Sequence, residues 1–130
     1  MDDGDRLRLA HGEISHEIIA AFHHVFNKVG FRLAEPIYQR AMPVALRMRG
    51  LRVQREVPFP VFFEGVNVGD YRADLVVEGK FLVELKSVDK LASVHEAQVY
   101  NYLRISRLPV ALLLNFGVSP QQRRLVLPFR

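Results

Sequence analysis

Two acidic residues and a lysine near the middle of the chain, Asp74, Glu84 and Lys86, have types and spacing suited to holding a divalent cation beside a positive charge. They fall in two apolar segments, Tyr71 to Val77 and Phe81 to Val88, which read as a hairpin joined through Glu78-Gly79-Lys80. Side chains alternate between faces along a strand. Ala73, Leu75 and Val77 then share one face, and Arg72, Asp74 and Val76 the other. On the second strand Phe81, Val83 and Leu85 share a face opposite to Leu82, Glu84 and Lys86. Matching the apolar sets requires paired residue numbers with an even sum. A three-residue loop sets Val77 opposite Phe81, Leu75 opposite Val83 and Asp74 opposite Glu84. Carboxylates with Cβ atoms about 4.5–5.5 Å apart repel, unless a cation lies between them. Mg²⁺ suits such a pair, because it takes one or two carboxylates and keeps several waters. Lys86, on the same face, reaches the same centre. A two-residue slip instead pairs Asp74 with Lys86 as an ordinary salt bridge on a solvated face. The two-residue turn Glu78-Gly79 mixes the faces and is disfavoured.

A helix read from Ser93 to Ser106 supplies further polar groups. Gln98 and Tyr102 are four apart and share a face, and His95 lies three before Gln98 on the same stripe. Leu91, Val94 and Ile105 border that stripe, which turns its polar groups inward, where they need partners. The alternative buries Val94, Ala97 and Leu103 and leaves Gln98 outside.

The remaining elements must position these groups. Ile14, Ile18, Phe22, Val25 and Val29 recur at helical spacing, so a first helix is expected from Glu13 to Val29, stopped by Gly30. A second is expected from Glu35 to Arg49, closed by Gly50, with Ile37, Ala41, Ala45 and Met48 facing inward. Pro36 suits its first turn, whereas Pro43 predicts a bend or break. Strand character follows from Arg52 to Val57 and at Val61-Phe62-Phe63, with a turn at Glu64-Gly65. The chain closes with strands Val110 to Leu114 and Leu125-Val126-Leu127. The order α-α-β-β-β-α-β-β predicts an α/β fold with a mixed central sheet flanked by helices.

Composition narrows the function. The 130 residues suit a single domain spanning 1–130. Cysteine is absent, which excludes disulfides, zinc-thiolate and iron–sulfur sites and a thiol nucleophile. The 18 basic and 14 acidic residues give a net charge of +4, which permits a polyanionic partner without requiring one. No apolar run reaches the roughly 20 residues of a membrane span, and the acidic start Met1-Asp2-Asp3-Gly4-Asp5 is unlike a secretory signal. A cytoplasmic protein is expected. His11, His16, His23 and His24 are read as surface or capping residues rather than a metal site, since adjacent histidines on a helix point apart.

Asp74, Glu84-x-Lys86 and Gln98-x-x-x-Tyr102 together resemble the PD-(D/E)XK nuclease superfamily and the glutamine–tyrosine motif of its RecB-like members. Gly30-Phe31, Glu35-x-x-Tyr38, Arg49-Gly50-Leu51, Gly69-Asp70-Tyr71-Arg72-x-Asp74-Leu75, Val83-Glu84-Leu85-Lys86, His95-Glu96-x-Gln98 and Leu114-Asn115-Phe116-Gly117 resemble the GxxExxY proteins, a small bacterial family of that superfamily. The resemblance implies a restriction-endonuclease-like core. It implies Asp74 and Glu84 as metal-binding acids, with Glu35 and the Leu85 carbonyl as further metal ligands. It makes Lys86 the lysine that activates water or offsets phosphate charge, and Gln98 and Tyr102 residues that line the site. Arg32 stands where the GxxExxY motif has glycine, and Pro36, directly after Glu35, predicts a displaced Glu35.

The expected activity is Mg²⁺-dependent hydrolysis of DNA phosphodiesters with little base specificity, Mn²⁺ substituting. Arg47, Arg49, Arg52, Arg55 and Arg72 are candidate phosphate contacts, as are Arg104 with Arg107 and Arg123 with Arg124. A homodimer would let so short a chain span a duplex. The alternative is a degenerate nuclease-fold module that binds nucleic acid or a protein.

Overall fold

Two segments, Phe81–Leu85 and Val110–Phe116, are buried at every position. Strands of that kind must be covered on both faces, and the fold supplies helices on each side. The structure, a computed structural model, describes residues 3–128. Its elements are α1 (Asp3–Val29), α2 (Glu35–Met48), β1 (Val53–Phe63), β2 (Val66–Val77), β3 (Phe81–Lys86), α3 (Ser93–Ser106), β4 (Val110–Phe116) and β5 (Pro120–Leu125). The five strands form one mixed sheet in sequence order, with β3 and β4 parallel and every other neighbouring pair antiparallel. This is the α-α-β-β-β-α-β-β arrangement expected of a restriction-endonuclease-like α/β fold. Among the described residues no helix is long and apolar enough to cross a membrane.

One core lies between the sheet and α1/α2 and contains Phe22, Tyr38, Leu75, Phe81, Val83, Leu112 and Phe116. The other lies under α3 and contains Tyr71, Ala73, Val76, Leu82, Val99, Leu103 and Leu113. Tyr38 fixes α2 in place. Its ring stacks on Phe116 at 3.8 Å; its hydroxyl donates to the Gly30 carbonyl at 2.9 Å and accepts from the Leu33 N–H at 3.1 Å.

Several expectations need correction. α1 starts at Asp3, ten residues before Glu13, ahead of the apolar periodicity that begins at Ile14. α2 passes through Pro43 unbroken and buries Tyr38, Met42, Ala45 and Leu46. Ile37 and Met48 instead lie outside, Met48 at 70% exposure, so α2 is apolar on two sides and its periodicity alone misleads. β1 is one strand rather than two. It lies at the sheet edge, where Pro58 and Pro60 are tolerated. β2 starts at Val66 rather than Tyr71, and β3 stops at Lys86 rather than Val88. β5 spans Pro120–Leu125 rather than 125–127; its polar Gln-Gln-Arg-Arg run is an edge with no alternation to read.

The hairpin register is the one that sets Leu75 against Val83 and Val77 against Phe81. The faces of β2, however, do not alternate throughout. Leu75 and Val77 point toward α1 and α2, whereas Ala73 and Tyr71 point toward α3. The switch occurs at Asp74. Glu56 on β1, between the paired positions Arg55↔Leu75 and Val57↔Ala73, takes a left-handed conformation (φ 50°). Both strands thus turn over together, and the ladder between them keeps its register.

The segment after β3 is held by Asn115, which is fully buried. Its side chain accepts from the Val88 N–H at 3.0 Å and donates to the Val88 carbonyl at 3.0 Å and to Gln121 Oε1 at 3.1 Å. Gly117 sits so close that a Cβ there would lie 2.7 Å from the Val88 carbonyl oxygen. Asn115→Ala is expected to lower stability by about 2–4 kcal/mol, since it leaves buried backbone groups unpaired. Urea denaturation checks this; an unchanged midpoint would contradict it.

Candidate active site

β2 and β3 pair only from Leu75/Val83 to the turn. Beyond that point the strands part, and Asp74 and Glu84 stand at the fork. Their carboxylates take over hydrogen bonds that a continued ladder would have made. The Leu85 N–H donates to Asp74 Oδ2 at 2.9 Å, and the Asp74 N–H donates to the Glu84 carboxylate. Gln39 Nε2 of α2 donates to Asp74 Oδ1 at 3.1 Å, and the Tyr71 hydroxyl donates to Glu84. Each acid is therefore gripped by backbone and by one side chain.

The fork opens into a cleft of about 650 Å³. Glu35 and Gln39 of α2, Asp74, Glu84, Leu85 and Lys86 of the strands, and Gln98 and Tyr102 of α3 all line it, with Val61, Val68 and Arg72 from the β1–β2 hairpin. Asp74 and Glu84 thus share one cavity with Lys86, and the slipped register that pairs Asp74 with Lys86 is not adopted. Glu35 reaches the cleft although Pro36 follows it: α2 starts at Glu35, with Ala34 as its extended N-cap residue. Arg32 adopts φ 59°, a conformation natural to the glycine of the resembled motif. It is secured there by its N–H to the Phe116 carbonyl at 2.8 Å and by an ion pair with Asp89 at 2.9 Å.

Electrostatics at the floor are dominated by burial. Desolvation pushes the Glu84 carboxyl up to about 8, against the Asp74 N–H and the Lys86 charge, which pull it down. Asp74 is also raised, by desolvation first, while the Leu85 N–H opposes and Glu35 adds to the rise. The Tyr102 phenol is raised by desolvation and then by the two acids it faces. Both carboxyls resist ionisation chiefly because they are recessed from water.

The donors are all oxygen, which suits Mg²⁺ or Mn²⁺ rather than a softer ion. Among the described residues no three His, Cys, Asp or Glu side chains converge closely enough to hold a metal by themselves.

Not every candidate from the sequence gathers here. His95 lines an adjoining depression with Arg32, Glu35 and Lys86. Its Nδ1 accepts from the Ala92 N–H at 2.9 Å, closing the N-terminus of α3. Gln98 borders the cleft yet is exposed, and Val94 is 67% exposed; α3 buries Val99 and Leu103 instead. Of the arginines, Arg72 alone of the five lines the cleft. Arg49 is paired with Glu17 at 2.8 Å, Arg52 with Glu78 at 3.4 Å, and Arg47 donates weakly to the Val53 carbonyl. Arg123 is paired with Glu96, and Arg104 with Asn101. Sequence reasoning missed Gln39 and Tyr71. Gln39 is four residues after Glu35, a helical spacing that marks it; Tyr71 is hidden by the face switch at Asp74.

A mixed sheet between helices, with its central hairpin forked around two acids and a lysine, is a nuclease-type fold. A family model of the PD-(D/E)XK nuclease superfamily matches residues 12–125, and the chain belongs to that superfamily. Searches of curated proteins and of solved structures gave no significant match.

Proposed function

We propose that the chain is a metal-dependent nuclease that hydrolyses DNA phosphodiester bonds with little sequence preference. The observation that carries this reading is the convergence of Asp74, Glu84 and Lys86 in one cleft at the fork of β2 and β3. Asp74 and Glu84 would hold Mg²⁺ or Mn²⁺ together with the Leu85 carbonyl, and Glu35, which lines the same cleft without joining them in a three-carboxylate cluster, would act through the ion's waters. The bound ion would polarise a phosphate oxygen and lower the pKa of an attacking water.

The chain's own groups divide the remaining work. Asp74 is kept in one orientation by Leu85 and Gln39, and Glu84 by Asp74 and Tyr71. The Lys86 ammonium orients the attacking water or offsets charge gathering on the phosphate. Gln98 and Tyr102 wall the cleft on the α3 side, and Arg72 offers a phosphate contact on the hairpin side. Such contacts position a strand without reading its bases.

Two measurements test the reading. Calorimetric titration of Mn²⁺ should show binding that Glu84→Ala removes. Incubation with plasmid and with single-stranded DNA should show cleavage that depends on Mg²⁺ or Mn²⁺. Salt-sensitive DNA binding without cleavage would instead mark a degenerate binding module, and neither binding nor cleavage a protein-interaction module.

A further inference from the structure

Tyr71 is 9% exposed and sits between two rings. It stacks on Tyr102 at 3.7 Å with planes 12° apart, and more loosely on Phe59 at 6.1 Å. Tyr102 in turn is hydrogen-bonded by the Gln98 side chain. The Tyr71 hydroxyl donates to Glu84. A continuous path therefore runs from the α3 residues Gln98 and Tyr102, through a sandwiched phenol on β2, to a carboxylate on β3.

A phenol with a free ring can swing about its χ angles and present its hydroxyl in several directions. One stacked on a neighbouring ring at 3.7 Å has fewer directions open to it. The Tyr71 hydroxyl is the side-chain partner that fixes the Glu84 carboxylate, beside the Asp74 N–H. Side chains that orient metal-binding carboxylates in this way typically change metal affinity by about 10–100-fold when lost.

We infer that Tyr71 is a positioning residue for Glu84, and that Tyr102, with Gln98 beside it, supports Glu84 through the ring of Tyr71. This inference rests on the reading of Glu84 as a metal-holding carboxylate. Tyr71 lines the cleft beside Glu84, and its hydroxyl is directed to that carboxylate. The motif pair on α3 thereby becomes a brace for a strand residue, and its ring matters more than its hydroxyl.

The test is the affinity for Mn²⁺ alone, measured calorimetrically on the full chain, with near-UV circular dichroism and melting temperature recorded for each variant. Tyr71→Phe is expected to weaken Mn²⁺ binding about 10-fold or more. Tyr102→Ala should weaken it comparably, and Tyr102→Phe, which keeps the ring, should stay within about 2-fold of the original chain. The Tyr71→Phe/Tyr102→Ala double variant should be no weaker than the worse single one, since both changes break one path. Melting temperatures that fall while Mn²⁺ affinity holds would overturn the inference, as would additive losses in the double variant. If the original chain binds Mn²⁺, Glu84→Ala loses it and Tyr71→Phe retains it, the positioning role fails while the metal reading stands. If Glu84→Ala binds as well as the original chain, or the original chain does not bind, both fall together.

Discussion

Lys86→Ala is expected to reduce DNA cleavage by about 10²–10³-fold without loss of metal binding. The lysine lies in the same cleft as the two acids, and its charge pulls both carboxyls toward ionisation. Removing it has two opposite effects. The acids ionise less readily, which disfavours a cation; a fixed positive neighbour also disappears, which favours one. Metal affinity should therefore move little, while the developing charge on the phosphate loses its nearest cationic partner. Asp74→Ala behaves differently: it should abolish both metal binding and cleavage, because a ligand is gone. Comparing Mn²⁺ affinity with the single-turnover rate for each variant separates these roles. Cleavage by Lys86→Ala at the original rate would remove the lysine from the mechanism.

Stability should fall as pH rises from about 5 to 8, an unusual direction for a carboxylate. Glu84 is raised from 4.5 to about 8 by burial, so in that window the folded chain holds a proton that the unfolded chain has released. Stability then declines with pH wherever the folded state binds more protons. The favourable contribution is present in full below the unfolded value and is lost by about 8. A shift of this size corresponds to an effect on the order of 5 kcal/mol, and Asp74, also raised, adds in the same direction. The measurement is melting temperature against pH in the presence of a chelator, for the original chain and for Glu84→Gln. The difference between the two curves should shrink or reverse toward pH 8. Mn²⁺ added at pH 8 should raise the melting temperature of the original chain, because it binds the ionised pair, and should leave Glu84→Gln unmoved. A curve for the original chain that is flat or rises relative to Glu84→Gln would contradict the burial of an ionisable Glu84.

Much of this architecture is legible in the residues. Matching apolar faces across Glu78-Gly79-Lys80 picks out the observed register, and α3 falls at Ser93–Ser106 as read. Failures occur where a local rule is overridden. α1 begins at Asp3, before the apolar periodicity that starts at Ile14 could mark it. Ile37 and Met48 have helical spacing but lie on the outward side of α2, since the core selects Tyr38 and Met42. Strict alternation assigns Ala73 and Leu75 to one face; the left-handed Glu56 and the turnover at Asp74 separate them. Tyr71 escapes notice for that same reason. For the arginines, the sequence shows the charge of Arg49 and Arg52 but not their pairing with Glu17 and Glu78, which become neighbours only on folding.

The prolines of β1 also govern how copies of the chain can meet. An outermost strand offers its free donors and acceptors to any extended peptide, and that is a common route to fibrous assemblies. Pro58 and Pro60 have no N–H to offer, so a visiting strand would find gaps in that rim. The protection is well placed, because Phe62, Phe63, Val66 and Val68, all at least 60% exposed, begin just beyond it. Colloidal solubility of the folded chain is thus guarded by backbone chemistry at a rim whose adjacent hairpin tip is sticky.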